Sequence, residues 1–115
     1  MKNQNNFLDP EIVLKAYKIG IFPMADEDEM DKVFWIEPEW RGILPLYNIH
    51  ISKSLKKNIR QEPYHIKFNN KFEEVINACA NSRERSWINN SIIDCYVKLH
   101  KAGYAHSVEA WQEDK

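Results

Sequence analysis

The sequence has 115 residues, 43% of them hydrophobic with four tryptophans, and a formal net charge of −1. That is room and apolar content for one ordinary domain and excludes a disordered chain, whereas the charge balance decides nothing about nucleic acid because opposite local clusters can cancel. No stretch approaches the ~20 apolar residues of a membrane span, and the opening MKNQNNFLDP lacks the apolar core of a secretory leader.

Asp9-Pro10-Glu11 predicts a helix start: a capping carboxylate, proline at the first position and an acid in the first turn. Ile12, Val13, Ala16 and Tyr17 supply its apolar stripe, and Gly20 is its stop. In IFPM, residues 21–24, Pro23 holds Phe22 out of helical geometry, so an extended segment follows. Residues 26–31 carry five acids in six positions without the spaced ligands and central glycine of a calcium loop, and read as a solvated surface loop. Residues 33–36 and 42–46 read as two short strands parted by a Glu37-Pro38-Glu39 turn.

A helix is expected over 51–60 and a strand over 64–68, with Tyr64, Ile66 and Phe68 on one face. From Asn70 or Lys71 to Ala80 the spacing predicts another helix. Asn70 and Glu73 resemble a capping box, and Phe72, Val75, Ile76 and Cys79 form the core stripe. A polar loop, 81–86, leads into a helix from about Asn90 to Ala102, with Ile93, Tyr96, Val97 and His100 on one stripe and Gly103 as its stop. Residues 106–111 alternate as a strand does, and Gln112 to Lys115 read as a polar turn. Interleaved helices and strands make the class mixed, α+β. Cys79 and Cys95 show no C-x-x-C or metal-ligand spacing and are expected as buried, reduced thiols. The four histidines show neither ligand spacing nor a triad companion, and His100 reads as a core residue.

Two constellations carry chemistry. Lys53, Lys56, Lys57 and Arg60 stand at i, i+3, i+4 and i+7, one face of a helix whose opposite face holds Ile51, Leu55 and Ile59. The apolar side is expected to dock on the domain and the basic ridge to face solvent. Such a ridge suits a phosphate backbone, although a merely soluble lysine-rich helix has the same pattern. In SRERSWINN, residues 82–90, Trp87 stands in a polar, arginine-bearing loop with no helical partner. An exposed ring there stacks a nucleobase; a ring folded inward is a core plug. No glycine-rich phosphate loop, nucleophile elbow or paired-carboxylate site is visible.

These pieces lie in an ordered set: AYKIGIFPMA (16–25), FWIEPEWRGILPL (34–46), HISKSLKK (50–57), FEEVINACA (72–80), SWIN (86–89) and LHKAGYAHSVEAW (99–111). The set, from about Leu8 to the last residue, resembles the N-terminal half of a leucyl/phenylalanyl-tRNA–protein transferase. Its specific part is GIFP, then W-x-x-P-x-x-R, then H-[ST]-[VI]-E-x-W. The resemblance implies a cytoplasmic aminoacyltransferase that moves Leu, Phe or sometimes Met from aminoacyl-tRNA to the N-terminal Arg or Lys of proteins, marking them for degradation as N-degrons. It implies no metal or nucleotide cofactor. It also implies a small N-terminal α/β domain over 1–46, and the first part of an acetyltransferase-like (GNAT-like) domain over 47–115.

Carried over by position, the resemblance puts Lys53, Lys56, Lys57 and Arg60 on the cluster that meets the tRNA acceptor stem. It puts Trp87 on the aromatic that packs the 3′-terminal adenosine, and Met24 where many members have tryptophan. Members continue past this point into segments that bind the aminoacyl side chain and assist the amine's attack, so no catalytic residue is assigned to this chain. On that reading the chain alone is inactive, as a monomer or joined to a separately encoded C-terminal half. A stand-alone RNA-binding module and a non-functional or split fragment are the alternatives.

Overall fold

The computed structural model describes residues 7–26, 28–29, 31–84 and 86–113. The readings made on Met1 to Asn6, on Glu27, on Arg85 and on the Asp114-Lys115 end of the terminal turn lie outside them. Helix α1 (Pro10–Lys18) starts as its residues dictate, with Asp9 Oδ1 accepting the Glu11 N–H at 3.0 Å and Pro10 in the first turn. It stops where Gly20 turns to a φ of +87°, a conformation that costs a residue with a Cβ.

Strand β1 (Phe22–Ala25) and strand β2 (Val33–Ile36) pair antiparallel, Phe22 opposite Ile36 and Ala25 opposite Val33. The acidic run is the connection of this hairpin. Asp26 shapes it by accepting the N–H groups of Asp28 at 2.8 Å and Glu29 at 3.4 Å. Residues 42–46, expected as a strand, form none. They pair with neither two-stranded sheet, and Pro45, with no N–H to give a ladder, heads a single 3₁₀ turn, Leu46–Asn48.

Helix α4 (Asn90–Lys101) is the centre of the packing, and its cap is Asn89, whose Oδ1 accepts the Ile92 N–H at 2.9 Å. Its buried stripe is Ile92, Cys95 and Leu99, one position off the expected Ile93, Tyr96, Val97 and His100, which are half-buried. The helix is covered from several sides: it packs against α1, β1 and helix α3 (Phe72–Asn81). One flank closes the core with Val13, Cys95 and Leu99, and burial pushes the Cys95 thiol up to about 11. On another flank the Tyr17 and Tyr96 hydroxyls share a hydrogen bond, their rings edge-on at 6.2 Å. Toward α3, His100 stacks on Phe72 at 4.2 Å, and its Nδ1–H donates to the Ala105 carbonyl at 2.8 Å.

The stripe of α3 holds at Phe72 and Ile76, which are buried, and fails at Cys79, which is exposed. Phe72 and Ile76 lie in the first two turns of α3, which packs against α4, whereas Cys79 in the last turn is left exposed. The expected Asn70–Glu73 capping box is also absent. The start of α3 is capped from a distant strand instead: Glu109 Oε2 accepts the N–H of Asn70 at 3.1 Å and of Lys71 at 2.8 Å.

That carboxylate sits on strand β4 (Val108–Trp111), which pairs antiparallel with strand β3 (His65–Phe68), Lys67 opposite Glu109 and Phe68 opposite Val108. Period-2 alternation puts Glu109 and Trp111 on the face that meets α3, and Ile66, Phe68 and Val108 on the other, where they are 59%, 66% and 67% exposed.

Helix α2 (Lys53–Gln61) is capped by Ser52, whose Oγ accepts the Leu55 N–H at 3.2 Å, and ends at Glu62 in the left-handed region. The expected docking of its apolar side is not found. Ile51, Leu55 and Ile59 are all exposed, and among the described residues α2 packs extensively on no other helix or strand. The short helix has a single narrow apolar row, and the chain before it, residues 40–50, is itself exposed and offers no wall.

Among the described residues no helix is long and apolar enough to cross a membrane.

Candidate functional site

Trp87 lies in the loop between α3 and α4, but it is not loosely held. Its carbonyl accepts the Ala25 N–H at 2.8 Å, so β1 is flanked on one side by β2 and on the other by residue 87. Ser86 tightens the same turn by accepting the Ile88 N–H on its Oγ at 3.1 Å. The indole is anchored through its backbone and keeps 38% of its surface in solvent. Its edge meets the Phe22 ring at 6.3 Å and 74°, the edge-to-face arrangement that the aromatic quadrupole favours.

Met24 follows two residues after Phe22 on β1, so the two share a face. Both are half-buried, while Pro23 and Ala25 between and beyond them are buried against the body. Trp87, 63 positions from Met24 in sequence, is thus tied by its backbone to the strand that carries Met24, and its ring meets Phe22 of that strand. What results is an apolar ledge with an exposed ring.

The ridge stands apart from this ledge. Lys53, Lys56, Lys57 and Arg60 are exposed on α2, and among the described residues none makes an ion pair; the pairs found are Lys32–Glu29 at 3.2 Å and Lys71–Glu74 at 3.6 Å. Four unneutralised cations on one face form a local positive field that the overall charge of −1 conceals. Among the described residues α2 packs extensively on no element of the ledge.

Two residues that sequence reasoning passed over fasten the frame. Arg41 Nη2–H donates to the Gly20 carbonyl at 2.7 Å. A Cβ on Gly20 would stand 2.9 Å from that nitrogen, which the flexible arginine end could relieve by shifting, so it is the positive φ that calls for glycine. GIFP and W-x-x-P-x-x-R thus meet through the glycine of one and the arginine of the other. The signal was present in the motifs, but a 21-residue gap gives no hint that they touch.

Glu109 is the second. Its side chain is buried yet fully partnered: Asn70 and Lys71 N–H, the Ser107 hydroxyl at 2.7 Å and the Trp111 indole N–H at 2.8 Å. Burial alone would raise its pKa, but the donors, led by the Lys71 N–H, Ser107 and Trp111, outweigh it and hold the carboxyl down at about 2. Lys67 Nζ lies 4.4 Å from the centre of the Trp111 ring, and Asn69 completes the junction by accepting the Ser107 N–H at 3.0 Å while donating from Nδ2 to His106 Nδ1 at 3.0 Å. The H-S-V-E-A-W segment is therefore a joint between β4 and the start of α3. A lone acid in an alternating strand, two residues before a tryptophan, was the available clue.

No three His, Cys, Asp or Glu side chains gather at metal-holding distance among the described residues. The fold is mixed α+β, and its candidate site consists of surfaces, an anchored aromatic ledge and a basic helix that forms no ion pair among the described residues. The family model for leucyl/phenylalanyl-tRNA protein transferase matches residues 43–115, and the model for the N-terminal domain of the same transferase matches residues 7–39. The chain belongs to the leucyl/phenylalanyl-tRNA protein transferase family, a family of aminoacyltransferases.

Proposed function

We propose that this chain supplies the tRNA-holding part of an aminoacyl transfer from Leu-, Phe- or Met-tRNA to the N-terminal Arg or Lys of a protein, the step that creates an N-degron in the cytoplasm. The observation that carries the reading is Trp87, whose ring stays exposed while its carbonyl is fixed to Ala25. A ring held in this way loses little freedom when a base stacks on it, and stacking contributes ~1–3 kcal/mol per base. In this reading the 3′-terminal adenosine packs on Trp87, Met24 lines the adjoining apolar ledge, and Lys53, Lys56, Lys57 and Arg60 meet the acceptor-stem phosphates. Residues 1–46 form the small N-terminal domain, and 47–115 open an acetyltransferase-like domain.

The ester of an aminoacyl-tRNA is already activated, so the work of transfer is to position the amine and handle a proton and the oxyanion. We assign none of those roles to a residue of this chain. The chain alone is expected to bind Leu-tRNA and not to transfer. The test measures tRNA binding across a salt series beside transfer of labelled Leu to an Arg-starting peptide. Replacing Lys53, Lys56 and Lys57 with Ala should flatten the salt dependence, the slope falling by about 0.9 per lost phosphate contact on a duplex stem. An unchanged slope removes the ridge from the account, and turnover by the chain alone refutes the assignment of chemistry elsewhere.

A further inference from the structure

Arg41 is doing less than its chemistry allows. A guanidinium carries five N–H donors in a planar fork, and the Gly20 carbonyl takes one, on Nη2. Arg41 is exposed, and among the described residues no carboxylate lies within ion-pair distance, although the sequence carries 17 acids. The guanidinium lies close over Gly20, its Nη2 2.9 Å and its carbon 3.6 Å from where a Cβ would be. The carbonyl it grips is at the end of α1, where the negative end of the helix dipole favours a cation. Two residues further along the chain is Phe22, whose ring meets that of Trp87. A planar cation, held by one donor and open on the others, is thus fastened through Gly20 to the segment that leads into Phe22 and strand β1. That is the pairing a nucleotide needs, a ring for its base and a fork for its phosphate.

We infer that Arg41 binds a phosphodiester of the single-stranded 3′ end of the tRNA whose terminal base rests at Trp87. The inference rests on the stacking reading above and adds a phosphate contact to it. Free phosphate and free nucleoside are the competing ligands, and the test separates them.

The experiment uses the full chain and two probes, an ACCA oligoribonucleotide followed by anisotropy across a salt series, and free adenosine followed through the Trp87 indole N–H resonance. Arg41→Gln keeps an N–H for the Gly20 carbonyl and removes the charge, and its thermal melt is compared with the parent's. We expect roughly tenfold weaker ACCA binding and a salt slope reduced by about 0.7, with adenosine binding unmoved. Arg41→Lys should keep the slope and lose part of the affinity, because a point charge replaces the fork. An unchanged slope in Arg41→Gln, equal losses for adenosine and ACCA, or inorganic phosphate competing as well as ACCA would overturn the inference; so would failure of the parent chain to bind ACCA at low salt. If adenosine leaves the Trp87 resonance in place while ACCA binding still depends on Arg41, the stacking reading fails and the phosphate contact stands.

Discussion

Helices α4 and α2 have similar sequence credentials and opposite fates. Each is amphipathic, and each is opened by a side chain that accepts a backbone N–H, Asn89 for α4 and Ser52 for α2. Helix α4 is walled by α1, α3 and β1 and buries Ile92, Cys95 and Leu99, whereas α2 leaves Leu55 47% and Ile59 57% exposed. Amphipathicity predicts that a helix has two faces; whether the apolar one is covered depends on what the rest of the chain brings to it. The packing of this molecule is therefore centred on α4 and its neighbours, while the exposed cations Lys53, Lys56, Lys57 and Arg60 sit on a helix that contributes little to that packing.

The sharpest way to break the comparison is truncation at matched positions. Ile92→Ala removes a side chain with 0% exposure from the centre of α4 and should cost about 2–5 kcal/mol in denaturant unfolding. Leu55→Ala, on the uncovered face of α2, should stay within about 0.5 kcal/mol of the parent. Equal losses would mean that α2 is packed in solution.

Gly20→Ala comes next. It forces a Cβ into φ +87° and against the Arg41 guanidinium, and should destabilise by about 1–2 kcal/mol, read in the same unfolding experiment.

The effect of Glu109 is set apart by its dependence on pH. Its pKa is lowered from 4.5 to about 2, so its ionised form contributes stability that is fully present above pH 4.5 and is lost as pH falls through about 2. Glu109→Gln should flatten the pH dependence of unfolding across that window, and an unaltered acid limb would show that the carboxylate is not held by those donors.

The smallest effect is on stability and the largest on reactivity. Cys79 is exposed and should react with iodoacetamide in the native state, while Cys95, buried and raised to about 11, should react only on unfolding. Mass mapping of the modified cysteine decides it.

Local features were legible in the sequence because they depend on neighbours in the chain. The Asp9 cap, the Gly20 stop, the extended IFPM segment and the helix beginning after Asn89 all follow from adjacent residues. Long-range features were not. Residues 42–46 have strand composition, but a strand needs a partner, and these exposed residues pair with none of the described strands. The alternation of Ile66 and Phe68 was readable, yet which face turns inward is decided by Glu109, which caps α3 from 38 or more positions away. The stripe of α4 was read one position off because a helix with several neighbours shows no single apolar edge. At the site, Trp87 and Met24 were each visible as single residues and as matches to a family. The attachment of Trp87 to the strand that carries Met24 depends on a backbone hydrogen bond, which no side-chain pattern encodes. Arg41 escaped notice for the same reason, since its partner is a carbonyl.

The bond between Ala25 and Trp87 runs from main chain to main chain. Any amino acid at position 87 can form it, so the loop stays fastened whatever side chain it displays. Selection could exchange the indole for another ring, or for none, without first repairing the scaffold. Binding preference at this position can therefore drift separately from folding, and a saturation library at residue 87 should hold many well-folded members that differ chiefly in what they recognise.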